Sequence, residues 1–325
     1  MTALHTSRVA ALFPPGRLTL REVGLRDGLQ LVRRFPDTDA KRQWLMHEHA
    51  AGVRVFEIGS FLPARGFPQF ADVGDMVAAV KALPGARAAA LTLNERGAED
   101  ALRTGVDEMI FVLSATEGHS QANTRRSRGE ALALLARIAA MRDAAGPDAP
   151  VLTAGIAMAF GCSIEGEVDA GEVLRLAEAC ARAGADVIAL ADTVGYAGPR
   201  EVAALASALP RSVGDIPLAM HFHDTRGLAI ANAAAALNEG VRILDGSLGG
   251  LGGCPFAPGA TGNVVFEDLV FLCETMGFDT GINIEALADA RRIVARAMPD
   301  ETLYGALARS GLPKTAAWRV SRVPA

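Results

Sequence analysis

Gly184-Ala185-Asp186-Val187-Ile188-Ala189-Leu190 carries the reading of the fold. A helical pattern ends at Gly184 and an apolar, β-prone run begins at once. Glycine just past a helix supplies the left-handed residue that stops it. The same junction recurs at Gly52 before Val53-Arg-Val-Phe-Glu57, at Gly105 before Val106-Asp-Glu-Met-Ile-Phe-Val112, and at Gly240 before Val241-Arg-Ile-Leu-Asp245. The intervals are 53, 79 and 56 residues. The first and last fit a pair of strand–helix units, and the middle one carries an insertion. The junctions therefore introduce alternate strands of a repeating β/α structure. Further strands fall in the gaps, at 18–23, 88–93, 151–157 and 217–223, with amphipathic helices such as 173–183 and 226–237 between them. Eight strands alternating with helices imply parallel pairing through right-handed crossovers. The span matches the ~250 residues of a (β/α)₈ barrel, with a doubly wound open sheet as the competing arrangement. Residues 1–17 read as an N-terminal arm, 18–276 as the barrel and 277–325 as a helical C-terminal extension and tail.

Composition narrows the chemistry. The 325 residues are 50% hydrophobic and 21% charged, enough apolar material for one large core. A net charge of −5 offers no footprint for nucleic acid. No run of ~18 apolar residues occurs, so no membrane span is expected. Cys162, Cys180, Cys254 and Cys273 form no C-x-x-C pair, which argues against a thiolate zinc site or a disulfide framework and fits a reducing cytoplasm. Segment 1–15 is basic and free of acids, as transit peptides are. It is short and has no clear cleavage site, so a docking or disordered arm is the favoured reading. The only lysines are Lys41, Lys81 and Lys314, in the first helix, the second helical region and the tail. None lies on an expected strand. A Schiff-base mechanism is therefore disfavoured, and metal-assisted C–C chemistry stays open.

In such barrels the active site lies at the C-terminal ends of the strands. The seventh strand ends in Met220-His221-Phe222-His223-Asp224. Alternation puts both imidazoles on one face, where they can bind one divalent metal or simply hydrogen-bond. Beyond the first strand, Asp27 offers a hard oxygen ligand, and Arg26 a planar fork of donors for a carboxylate or enolate oxygen. The plainer reading is an Arg–Asp pair serving local electrostatics. The second strand ends in Glu57 and the sixth in Asp192-Thr193. Each acid reads equally as a loop anchor or as part of the chemistry. After the eighth strand, Gly249-Gly-Leu-Gly-Gly-Cys254-Pro255 leads to Pro258-Gly-Ala-Thr-Gly-Asn263. This run is too glycine-rich for a helix and reads as a loop with a thiol at its tip. It lacks the Gly-Lys-Ser/Thr of a phosphate-binding loop. Asn263 is either a helix N-cap or a carbonyl ligand to the metal. The position of Cys254 favours an accessible acid/base thiol over packing, whereas the other cysteines read as packing residues.

Arg21-Glu-Val-Gly-Leu-Arg-Asp-Gly-Leu-Gln30, Ala191-Asp-Thr-Val-Gly195, His221-Phe-His-Asp-Thr225 and Gly250-Leu-Gly-Gly-Cys-Pro255 with Gly262-Asn263 strongly resemble the 3-hydroxy-3-methylglutaryl-CoA lyase family of metal-dependent TIM barrels. The resemblance covers about residues 18 to 293. It implies Mg²⁺ or Mn²⁺ held by Asp27, His221, His223 and Asn263, and cleavage of an acyl-CoA substrate to acetyl-CoA and a keto acid. It implies His221 or Asp27 as base, Arg26 at the enolate oxygen, Glu57 in the hydrogen-bond network and Cys254 in proton transfer. Asp192 and Glu267 would support the ligands from behind, and Gln30 and Thr193 would lie beside them or the substrate. A homodimer is implied as well, and leucine breakdown or another acyl-CoA route stays open.

The chain departs from the family at the mouth of the site. Leu31-Val32-Arg33-Arg34 replaces the usual Asn-Glu, Arg226 replaces a Tyr, and Ser60-Phe-Leu-Pro-Ala-Arg65 lacks a Lys-Trp segment. These changes leave lysis intact and point to a related 3-hydroxy-3-substituted acyl group. Arg226 would read a distal carboxylate or make a surface ion pair. Acetyl-CoA-condensing synthases of the same superfamily share Arg26-Asp27 and His221-x-His223 but lack the cysteine loop. A non-catalytic barrel would not fill every matched polar position.

Overall fold

The computed structural model describes residues 3–253 and 262–315. Its strands are β1 (Thr19–Glu22), β2 (Val55–Ser60), β3 (Arg87–Leu91), β4 (Glu108–Ser114), β5 (Val151–Ala157), β6 (Val187–Asp192), β7 (Leu218–Phe222) and β8 (Ile243–Gly246). They close into a parallel barrel in chain order. Closure is made by β1 on β8, with Thr19 opposite Ile243 and Arg21 opposite Asp245. That pairing excludes the open sheet. Every expected strand forms, and the junction glycines Gly52, Gly105, Gly184 and Gly240 all take positive φ.

The helices are α1 (Ala3–Leu12), α2 (Thr38–Ala50), α3 (Val73–Lys81), α4 (Glu95–Thr104), α5 (Glu117–Thr124), α6 (Arg128–Ala144), α7 (Ala170–Arg182), α8 (Pro199–Val213) and α9 (Ala229–Asn238). They continue with α10 (Phe266–Thr275), α11 (Ile284–Ala297) and α12 (Leu307–Ser310). The long interval after Gly105 holds α5, an extra helix between β4 and α6. Local chemistry sets the starts. Asn94 caps α4 through Gly97 N–H, and Ser127 with Glu130 forms a capping box on α6. Helix α9 starts later than the 226–237 pattern, because Asp224 accepts from Ala229 N–H and holds the preceding residues in a turn. Helix α11 buries Leu287, Ala290 and Val294 against α2, so the C-terminal region is packed onto the barrel wall. Among the described residues no helix is long and apolar enough to cross a membrane.

The N-terminal arm is a plug. Val9, Leu12 and Phe13 bury against Val151, Val187, Ala219 and Ile243 at the N-terminal ends of β5 to β8. This closes the bottom of the barrel and leaves the opposite end for chemistry. The lysines keep to the helices and tail: Lys41 on α2 reaches Asp72 at 2.7 Å, and Lys81 on α3 reaches Asp107 at 3.1 Å. Removing the plug's aromatic ring should open a cavity beneath the barrel. Phe13→Ala is expected to cost about 3–5 kcal/mol, read as a lower urea midpoint with an unchanged slope. A midpoint equal to wild type would mean that the helix only rests on the barrel.

Candidate active site

After β1 the chain makes one π-type turn, Gly24–Gly28, because the N–H groups of Arg26, Asp27 and Gly28 all return to Val23 O. This turn lifts Arg26 and Asp27 over the barrel mouth while keeping both buried. The Arg26 guanidinium donates to Glu57 at 2.6 Å, to Asp27 at 2.8 Å and to Gln30 at 3.2 Å. Burial alone would push the Asp27 carboxyl up. Arg26 and the neighbouring histidines outweigh it and hold Asp27 well below the usual carboxylate range. Burial pushes the Glu57 carboxyl up, even though Arg26 pulls the other way.

On the β7 side, His221 and His223 share a face, with ring centroids 5.1 Å apart, while Phe222 packs outward against Phe160. His221 Nδ1 lies 3.1 Å from Asp245 Oδ2. The tautomer protonated at Nδ1 donates to that carboxylate and leaves Nε2 for the site. Burial opposes a charge on His221, but the bond to Asp245 and the charge of Asp27 outweigh it, so its pKa rises.

Asn263 arrives from the far end of the glycine-rich loop. It pairs with His223 through a backbone bridge, and its Nδ2 donates to Asp27 Oδ1 and Leu251 O, each at 2.9 Å. It is not the helix N-cap, because α10 is capped at Val265. The two limbs of the loop touch through backbone. A Cβ on Gly252 would lie 2.5 Å from Asn263 Nδ2, and one on Gly262 would strike Gly250 O. Only glycine admits that approach.

These groups fit a divalent cation. Asp27, His221 and His223 each offer one ligand atom, all within 4.8 Å of one another. Asn263 Oδ1 and His223 Nδ1 are buried and lack a hydrogen-bond partner among the described residues. A buried carbonyl oxygen with no donor is a costly arrangement unless something accepts its lone pair. One carboxylate, two imidazoles and an amide oxygen form a hard-to-borderline donor set.

The remaining expected residues fall at different distances. Glu57 lies within β2, not at its end, because the strand runs on to Ser60 past a register shift. Its side chain faces inward to Arg26. Asp192 anchors its loop by accepting from Tyr196 and Ala197 N–H. Thr193 faces the cavity, and its hydroxyl accepts from Met158 N–H. Glu267 joins Gly249 N–H to Arg291, so it holds the glycine-rich loop rather than a ligand. Arg226 neither enters the cavity nor makes an ion pair among the described residues. It donates to Val194 O and Gly195 O and stacks on Tyr196 at 4.5 Å. Cys254 lies outside the described residues. Cys162, Cys180 and Cys273 are buried and free, and burial pushes Cys180 and Cys273 up to about 12.

The sequence reading missed a second row of charges below the first. Arg21 donates to Asp245 at 2.9 Å and to Glu108 at 2.6 Å, and Asp245 carries this network to His221. The available signal was a charged residue at an inward position of an apolar strand, as in Ile243-Leu-Asp245-Gly. The charges floor a cavity of about 520 Å³ that opens at the C-terminal end of the barrel.

Comparison with known proteins agrees with this arrangement. A family model described as HMGL-like matches residues 17–294. The hydroxymethylglutaryl-CoA lyase YngG of Bacillus subtilis is 37% identical over 285 residues, 87% of this chain and 94% of that protein. A 3-hydroxy-3-isohexenylglutaryl-CoA/hydroxy-methylglutaryl-CoA lyase of Pseudomonas aeruginosa is also 37% identical, over 86% of this chain and 93% of its own. The solved structure of an Acinetobacter baumannii HMG-CoA lyase in complex with coenzyme A and 3-methylmalate covers both chains fully, with a TM-score of 0.84 and 32% identity. With the family match spanning most of its length, this chain belongs to the HMGL-like family.

Proposed function

We propose that this chain is a carbon–carbon lyase that cleaves 3-hydroxy-3-methylglutaryl-CoA and related thioesters to acetyl-CoA and a keto acid, acetoacetate for the methyl compound. The observation that carries the reading is the convergence of Asp27, His221, His223 and Asn263 beside Arg26 at the barrel mouth. The named activities of its relatives support it.

A divalent cation bound by those residues, Mg²⁺ or Mn²⁺ by the hardness of the donors, would lower the pKa of the substrate's tertiary hydroxyl. The chain's own residues do the rest. Asp27, or His221 where its Nε2 is not on the cation, takes the hydroxyl proton. His221 has the Asp245 carboxylate behind it to stabilise the imidazolium. The C2–C3 bond then breaks, C3 becomes the keto carbon, and the electron pair passes into the thioester as an enolate. Arg26 is held by Glu57, Asp27 and Gln30, and its Nη2 makes no hydrogen bond among the described residues. That donor serves the enolate oxygen, and its rigid backing removes the reorganisation cost. A proton delivered to the enolate carbon by Cys254 completes acetyl-CoA. The reading includes a cytoplasmic homodimer in leucine breakdown or another acyl-CoA route. The free, buried thiols of the described cysteines are consistent with a reducing compartment.

Purified enzyme given 3-hydroxy-3-methylglutaryl-CoA should release acetyl-CoA and acetoacetate, lose activity to a chelator and regain it with Mg²⁺ or Mn²⁺. Activity indifferent to chelation would remove the metal from the scheme. Asp245→Asn should lower kcat by roughly 10–100-fold, the usual cost of a lost outer partner to a ligating histidine. A rate equal to wild type would show that Asp245 does not orient His221. Cys254→Ser is expected to lose about 10²–10⁴-fold in turnover while metal binding is retained. Unchanged turnover would take Cys254 out of the mechanism.

A further inference from the structure

The cavity is two-sided. Its β1, β2, β7 and β8 walls carry the charged and imidazole groups of the floor, and the strand residues of its β3 to β6 walls are apolar, with Asn94, His119, Asn123 and Arg126 lining the rim above them. Leu91 sits opposite Ile110, Val112 opposite Gly155, Gly155 opposite Ala189, and Ala191 opposite His221. These inward positions form a continuous strip that ends at the imidazole proposed for the metal. Leu91, Ile110 and Val112 make its hydrophobic face, whereas β5 and β6 contribute nothing longer than a methyl group. Gly155 places no side chain in the hollow, and an added Cβ there would already press on Val112 Cγ2 at 3.3 Å. Nothing in the acid–base chemistry requires such a hollow.

Substrate geometry assigns it an occupant. The carbon bearing the tertiary hydroxyl has its oxygen at the Asp27, His221 and His223 side. Its thioester arm must reach Arg26, and its carboxylate needs the charged wall. The fourth substituent on that carbon is left facing the apolar strip. We infer that the strip from Leu91 to Ala191 is the binding site for an alkyl group longer than methyl, so that the preferred substrates are 3-alkyl-3-hydroxyglutaryl thioesters. Gly155 and Ala189 set the chain length by leaving the hollow open. The inference rests on the lyase reading and specifies its substrate class. Each methylene buried on such a wall is worth about fourfold in binding, and a side chain filling the hollow rejects it by at least about tenfold.

The test compares 3-hydroxy-3-methylglutaryl-CoA with 3-butyl-3-hydroxyglutaryl-CoA by kcat/KM for acetyl-CoA release. Wild type should use the butyl compound at least as well as the methyl compound. The butyl-to-methyl ratio should fall at least about tenfold in Gly155→Val and in Ala189→Val, mainly through KM. The pocket assignment is overturned if wild type favours methyl by more than about tenfold, or if both variants keep the wild-type ratio. The wild-type comparison decides alone should neither variant fold. Release of acetyl-CoA from neither thioester would instead overturn the lyase reading, and the assignment with it.

Discussion

Charge placed inside a barrel must find its partner inside the barrel. Arg21, Arg26, Asp27, Glu57, Glu108 and Asp245 are all buried. Two guanidinia face four carboxyls, a formal excess of two negative charges. An isolated buried ion is prohibitively costly, and even a paired one needs near-ideal geometry. The short Arg26–Glu57 and Arg21–Glu108 contacts provide such geometry. The remaining deficit is concentrated at Asp27 and Asp245, beside the histidines. A divalent cation would balance it there, so the requirement of charge neutrality and the proposed chemistry select the same place.

The rest of the architecture serves that network. The π-type turn after β1 presents Arg26 and Asp27 from one side. The glycine-rich loop returns Asn263 from the other, and it closes only because Gly252 and Gly262 lack side chains. Glu267 and Asp192 hold the loops from outside by accepting backbone N–H groups. The α1 plug seals the opposite end, so the charged floor sees solvent from one direction. Apolar β3 to β6 walls lower the local dielectric, which strengthens each electrostatic contact at the mouth.

Much of this was legible in the sequence. Glycine junctions and apolar runs located all eight strands, because both signals are local. The H-x-H spacing and the Arg26-Asp27 pair were readable because alternation and strand-end position decide their direction. Glu57 was misplaced by a few residues, since strand ends are set by neighbouring pairing rather than by propensity. The inward charge of Asp245 was readable, but its pairing with Arg21 and Arg21's with Glu108 was not, because the partners are 224 and 87 residues apart. Arg226 read as either a carboxylate reader or a surface ion pair and proved to be a loop tie, because a stacked Tyr196 and two carbonyls captured it. The hollow at Gly155 was invisible for a simpler reason. An absent side chain leaves no motif until the barrel closes around it.

The central claim is that the buried charge excess and the Asp27, His221 and His223 cluster form one metal centre. Titrating Mn²⁺ into the protein, followed by electron paramagnetic resonance, tests it without reference to turnover. The account predicts one tightly bound Mn²⁺ per chain in wild type, lost in His223→Ala and weakened in Asn263→Ala. Undiminished binding in both variants, or no tight site in the wild type, would contradict it.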